Sequence, residues 1–188
     1  MYDHKAVVSA ELDASETLLW SAQPRQGMFL RPSDSMMIPF SMLWGGFAIY
    51  WEFQVITGDA PLFFMLLGLP FVFIGLYLII GRFFYDAKMR EKTFYGITDK
   101  RVIILNGIRT KAVRSVAIEE ITDMHVYEGP NGSGIIALAP EAISNLYQSD
   151  LMLPGQTESV PRLNHLLDVH RPYALIQQLR KNLPTRPD

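Results

Sequence analysis

Cysteine is absent from all 188 residues, which excludes disulfides, thiolate zinc sites, iron–sulfur clusters and cysteine nucleophiles. An excess of charge is missing too. Lys and Arg number 17 against 19 Asp and Glu, a formal net charge of −2, and that balance excludes a generic nucleic-acid binder. The four histidines, His4, His125, His165 and His170, have neither HxxxH nor HExxH spacing, so no metal site is expected. The glycine-rich stretch 129–134 lacks both the GK[ST] of a phosphate loop and the GxGxxG order, and there is no GxSxG elbow. These gaps predict a protein that is not an enzyme and needs no cofactor. Residues 1–35 also lack the 7–15-residue apolar region of a cleavable signal peptide.

Long apolar runs are what the chain has. The first, MMIPFSMLWGGFAIYWEFQVI, covers 36–56, and the second, PLFFMLLGLPFVFIGLYLIIG, covers 61–81. Each holds 21 residues, and a helix needs about 20 to cross a hydrocarbon core of about 30 Å. The connector TGDA at 57–60 has room only for a turn. A transmembrane helical hairpin is therefore expected. Glu52 is the one ionised group inside either run. It stands four residues before the end of its run, near the interface, where its side chain can snorkel; an ion path would need a second ionisable group in the partner helix, and there is none. Pro39 falls in the first turn of the expected helix, Pro70 should kink the second, and Gly45, Gly46, Gly68 and Gly75 permit close helix approach.

Positive charge sets the expected orientation. Lys5, Arg25 and Arg31 precede the hairpin, Arg82, Lys88, Arg90 and Lys92 follow it, and the connector has none. Both termini are then cytoplasmic in a multi-pass protein. The basic stretch 82–92 reads as a stop-transfer exit that feels anionic lipid.

Before the hairpin, Asp13 or Ser15 is expected to cap a short helical turn over 16–20, and Leu18, Leu19 and Trp20 to dock on the later soluble part or to lie in the headgroup region. After it the texture turns to β. Strands are expected at 93–97 and 101–105, with a turn at 98–100 and an Asn106-Gly107 hairpin signal. Further strands are expected within 108–118, at 121–127 and at 135–139, while 140–161 fits no single pattern. Pro172 opens a helix through Asn182 with Leu175, Ile176, Leu179 and Leu183 on one face and Pro184 as its stop.

Four segments carry a resemblance. YGITDKRVII at 95–104 resembles the Y-x-h-T-x-x-R-h signature of bacterial pleckstrin-homology-like domains, where h is hydrophobic. IEEI at 118–121 resembles that family's entry to a middle strand, LLDVHRPY at 166–173 the turn into its last helix, and ETLLWSAQP at 16–24 the lead-in before its membrane hairpin. The resemblance implies a mainly-β domain over 93–183, a bent antiparallel sandwich or barrel capped by a C-terminal helix. The organisation expected is thus an N-terminal cytoplasmic segment (1–35), a hairpin (36–81), an exit (82–92) and the PH-like domain.

Lys100, Arg101, Arg109, Lys111 and Arg114 are the candidate binding residues, for a partner or for anionic headgroups. Arg101 reads equally as a structural ion-pair partner. The function expected is a membrane-anchored cytoplasmic adaptor in a bacterial inner membrane. It would bind a protein partner, itself or anionic lipid, but no nucleic acid. An accessory or assembly subunit of a membrane enzyme or transporter complex is the alternative, with Glu52 and Pro70 in the shared intramembrane contact.

Overall fold

The computed structural model describes residues 3–28, 34–107, 111–139 and 160–183. It mixes helices with antiparallel sheets and divides into two compact units. One combines Met1–Gly27 with Lys88–Asp188, and the other is Met28–Ala87. Residues 1–27 therefore belong to the same unit as the β region that follows the apolar runs.

In the β unit, β1 (Leu18–Ala22), β2 (Phe94–Thr98), β3 (Arg101–Asn106) and β4 (Ala112–Ala117) form an antiparallel sheet in that order. A second sheet orders β5 (His125–Glu128), β6 (Gly134–Ala137) and β7 (Arg162–Leu166), and α5 (His170–Lys181) follows. Residues 16–20 were expected to be helical. They enter a strand instead, because Trp20 alternates with exposed Leu19 and packs on the core, a period of two rather than 3.6. The strand expected at 121–127 begins only at His125, after a short 3-10 turn at Ile118–Glu120. β7 was not foreseen. Arg109, Pro184 and most of 140–161 lie outside the described residues.

Local chemistry explains the turns. Thr98 Oγ1 accepts from the N–H groups of Lys100 (3.1 Å) and Arg101 (2.9 Å) and donates to Arg101 O (3.0 Å), so the β2–β3 turn is held by one hydroxyl. Gly107, at φ +131°, supplies backbone that L residues avoid, as the Asn-Gly pair predicts.

Alternation decides what each strand buries. Tyr95, Ile97, Val102 and Ile104 point into a core completed by Ile118, Ile121, Ile136, Leu163 and, from α5, Ile176. The opposite face of β2 and β3 is also covered. A short helix, α1 (His4–Ser9), lays Val8, fully buried, on Phe94, Ile103 and Leu105. Gly96 sits beneath it, and any side chain there would overlap Val8 Cγ1.

The helical unit holds α2 (Asp34–Thr57) and α3 (Leu62–Leu76). α3 runs through a π-helical turn, Tyr77–Gly81, into α4 (Arg82–Glu91). Leu62–Glu91 is thus one helix of 30 residues, and among the described residues it is the one long and apolar enough to cross a membrane. α2 has the length, at 24 residues, but Glu52, Gln54 and its glycines and indole rings dilute its hydropathy. Because α2 starts at Asp34, Pro39 is its sixth residue and not in its first turn.

α2 and α3 pack antiparallel, with Gly45 against Gly75 and Glu52 against Gly68. Beyond Asp34 the buried positions of α2 are Ser41, Gly45, Ala48, Glu52 and Val55, alternately four and three apart, the seam of a coiled-coil-like pair. In α3 and the π-helical turn that continues it, buried Gly68 and Gly75 alternate with half-buried Met65, Val72 and Ile79. At the other end Asp34 and Arg82 form an ion pair at 2.6 Å, both largely buried.

Candidate functional site

The structure gathers three of the five basic candidates under one segment, 11–16, between α1 and β1. Arg101, at the start of β3, pairs with Glu16 (Nε to Oε1, 2.8 Å) and with Asp13 (3.3 Å), and donates to Glu11 O (3.3 Å). Lys111 pairs with Glu11, and Lys100 Nζ donates to Ser15 Oγ at 2.7 Å. Thr17 and Asp99 lock the segment to the β2–β3 turn: Thr17 N donates to Asp99 Oδ1 at 2.9 Å, and Asp99 N donates to Thr17 O at 3.2 Å.

Electrostatics follow from that geometry. The Arg101 hydrogen bond is the main cause holding the Glu16 carboxyl below its usual value. Burial opposes it, and the Asp13 backbone bond and the charges of Arg101 and Lys100 add to it. Reciprocally, the Glu16 bond raises Arg101. The Glu16 side chain is 2% exposed and that of Arg101 26%. A pair so enclosed is a strut, and Arg101 has little capacity left for an outside anion.

The remaining candidates stand apart. Arg114 is half-buried on β4, opposite Ile104 in β3. Glu52 belongs to the helical unit, where it is 7% exposed. The basic residues were legible in the sequence. Their occupants were not, although Glu11, Asp13 and Glu16 recur close enough together to mark an acidic strip. Gly68, the counterpart of Glu52, was noted only as a close-approach residue.

Elsewhere in the β unit the polar groups serve the fold. His4 Nδ1 shares a hydrogen bond with Ser21 Oγ (2.9 Å), and His170 meets Glu128 (3.2 Å). Arg90 Nη2 donates to Gly27 O at 2.7 Å, while Gln26 Nε2 donates to Arg90 O at 3.1 Å. These bonds tie the two chain segments that leave the β unit for the helices. Burial on β7 lowers the pKa of Arg162. Among the described residues no three His, Asp or Glu side chains are arranged to hold a metal.

No family model matches the chain, and no curated protein matches it either.

Proposed function

We propose that this protein is a membrane-anchored adaptor, its α2–α3 hairpin spanning the bilayer and its β unit a PH-like module at the cytoplasmic surface. The observation that carries the reading is the inverted character of the helical pair. Its seam is glycine, alanine, serine and glutamate, while Phe47, Phe53, Leu62, Phe63 and Phe73 are each 60% exposed or more. In water that arrangement would leave a large apolar surface uncovered. In lipid it is the ordinary solution, because small residues let helices approach while large apolar ones face acyl chains. A four-stranded and a three-stranded antiparallel sheet followed by a helix support the PH-like reading of the other unit. The distribution of Lys and Arg favours cytoplasmic termini in a bacterial inner membrane.

Within that reading a protein partner is favoured over a lipid headgroup. Arg101 and Lys111 are paired with carboxylates of residues 11–16, so they offer a headgroup little free positive charge, while Lys100 donates to Ser15 and keeps its own. Edge strands β1 and β4 suit partner binding or self-association by strand addition. Alkaline carbonate extraction of membranes from an expressing bacterium tests the anchoring. The protein should stay in the pellet, and release into the supernatant would refute the anchor. The accessory-subunit reading is favoured by Glu52 alone.

A further inference from the structure

We propose that residues 3–13 are a strap that opens, and that the face beneath them is a docking site for an acidic, apolar peptide segment of a partner protein. The proposal deepens the adaptor reading and rests on it. The segment already seated there shows what the face accepts. Val8 is fully buried against Phe94, Ile103 and Leu105, and it sits over Gly96, where a side chain would overlap Val8 Cγ1. Beside this apolar socket stand two cations, Lys111 paired with Glu11 and Arg101 with Asp13. An aliphatic side chain followed by two carboxylates is the pattern that fits. A phosphate headgroup would satisfy only its charged half.

Three features make the strap separable from the fold. Its socket is a cluster distinct from the main core built by Ile97, Ile104 and Ile136, so lifting the strap leaves that core closed. α1 has only six residues, too few to hold a helix away from its seat. The charged fastenings reach the surface, where such pairs contribute little: the Asp13 side chain is 76% exposed and that of Lys111 51%. The enclosed Glu16–Arg101 pair and the two Thr17–Asp99 bonds stay in place and form the hinge. A closed strap competes with a partner from within the chain, at an effective concentration on the order of millimolar. Docking is therefore gated by strap opening.

The test uses the full chain in mild detergent, with hydrogen exchange as the first readout. The α1 amides should exchange at least about tenfold faster than those of β2 and β3. Exchange of α1 only together with those strands would make the strap an inseparable part of the unit and overturn the proposal. The second readout is binding of a fluorescent peptide with the sequence of residues 3–13, DHKAVVSAELD. A Val8→Ser, Asp13→Asn protein, whose strap is loosened and whose face is intact, should bind it about tenfold more tightly than wild type. Adding Lys111→Glu to that protein should abolish the gain, and the same peptide carrying Val8→Asp should bind neither protein. Equal binding to wild-type and loosened protein, or none to either, overturns the proposal. Strap opening driven by phosphatidylglycerol micelles and not by the peptide overturns it in favour of a lipid surface. Carbonate extraction reports the anchor separately, so a protein retained in the pellet that fails here loses only this proposal.

Discussion

The two units bury opposite things. In the β unit Ile97, Val102, Ile136, Leu163 and Ile176 are fully enclosed, and among the described residues charge is left to the surface, to the Glu16–Arg101 strut and to buried Arg90 and Arg162. Among the described residues of the helical unit the enclosed positions are Asp34, Ser41, Gly45, Ala48, Glu52, Val55, Gly68 and Gly75, while phenylalanine and leucine face outward. The same apolar residues go inside in one unit and outside in the other. Hydrophobic burial drives the first arrangement, since removing apolar surface from water contributes about 25 cal/mol per Å². On the proposed membrane reading it does not drive the second, where close packing of small residues takes its place.

The largest way to sharpen the contrast is to truncate one kind of side chain in both units. Ile97→Ala should cost about 2–5 kcal/mol, the range for a buried aliphatic deleted from a packed core. Leu66→Ala, at a position 58% exposed on α3, should cost less than about 0.5 kcal/mol. Denaturant titration in mild detergent reads both. Equal losses would mean that the helical unit has a conventional core and would break the comparison.

Enlarging a glycine should do the reverse. A side chain at Gly75 would stand 2.8 Å from Gly45 Cα, whereas nothing lies within 4 Å of one at Gly46. Gly75→Leu should therefore destabilise the hairpin by about 1–3 kcal/mol, while Gly46→Leu leaves its thermal midpoint in detergent unchanged. A Gly75→Leu protein as stable as wild type would remove the seam from the account.

Glu16→Gln tests the strut. Because the folded carboxyl titrates below its usual value, its stabilisation is fully present above the unfolded carboxylate value and is lost as pH falls through the lowered folded one. The variant should be about 1–2 kcal/mol less stable at pH 7, less than for a wholly enclosed pair because Arg101 keeps partial contact with water. The gap to wild type should close in acid. A gap that stays constant with pH would mean that shape, not charge, holds residues 11–16.

Gly96→Ala should have the smallest and most local effect, because its side chain overlaps only Val8 of α1, with Leu18 Cδ1 at an ordinary contact distance of 3.5 Å. Hydrogen exchange at residues 4–9 should accelerate while β2 and β3 stay protected.

How much of this the sequence discloses differs between the units for a physical reason. The apolar runs located α2 and α3 to within a few residues, since their length alone carries the signal. The inward side of each helix was less legible, because in an all-apolar run the seam is marked only by glycines at 45, 68 and 75 and by Glu52. In the β unit the Thr98 turn, the Asn106-Gly107 signal and the last helix were legible from side-chain chemistry acting within a few residues, although that helix starts at His170, two residues before the expected Pro172. β1 was misread because its pairing partner lies more than 70 residues away, Trp20 opposite Ile97, and no local pattern reports such a contact. The acidic occupants of the basic cluster escaped for the same reason: Glu16 and Arg101 are adjacent only once β1 has joined β2.

The central claim is that the helical pair lies in a bilayer with its small, polar seam inward and its connector outside. Since the chain has no cysteine, single cysteines can be placed at Asp59, at Leu66 and at Glu119 and probed with a membrane-impermeant maleimide in intact bacteria. The account predicts labelling of Asp59→Cys from outside, of Glu119→Cys only after the inner membrane is permeabilised, and of Leu66→Cys only in detergent. Labelling of Leu66→Cys in a soluble fraction, at the rate of the other two, would contradict it.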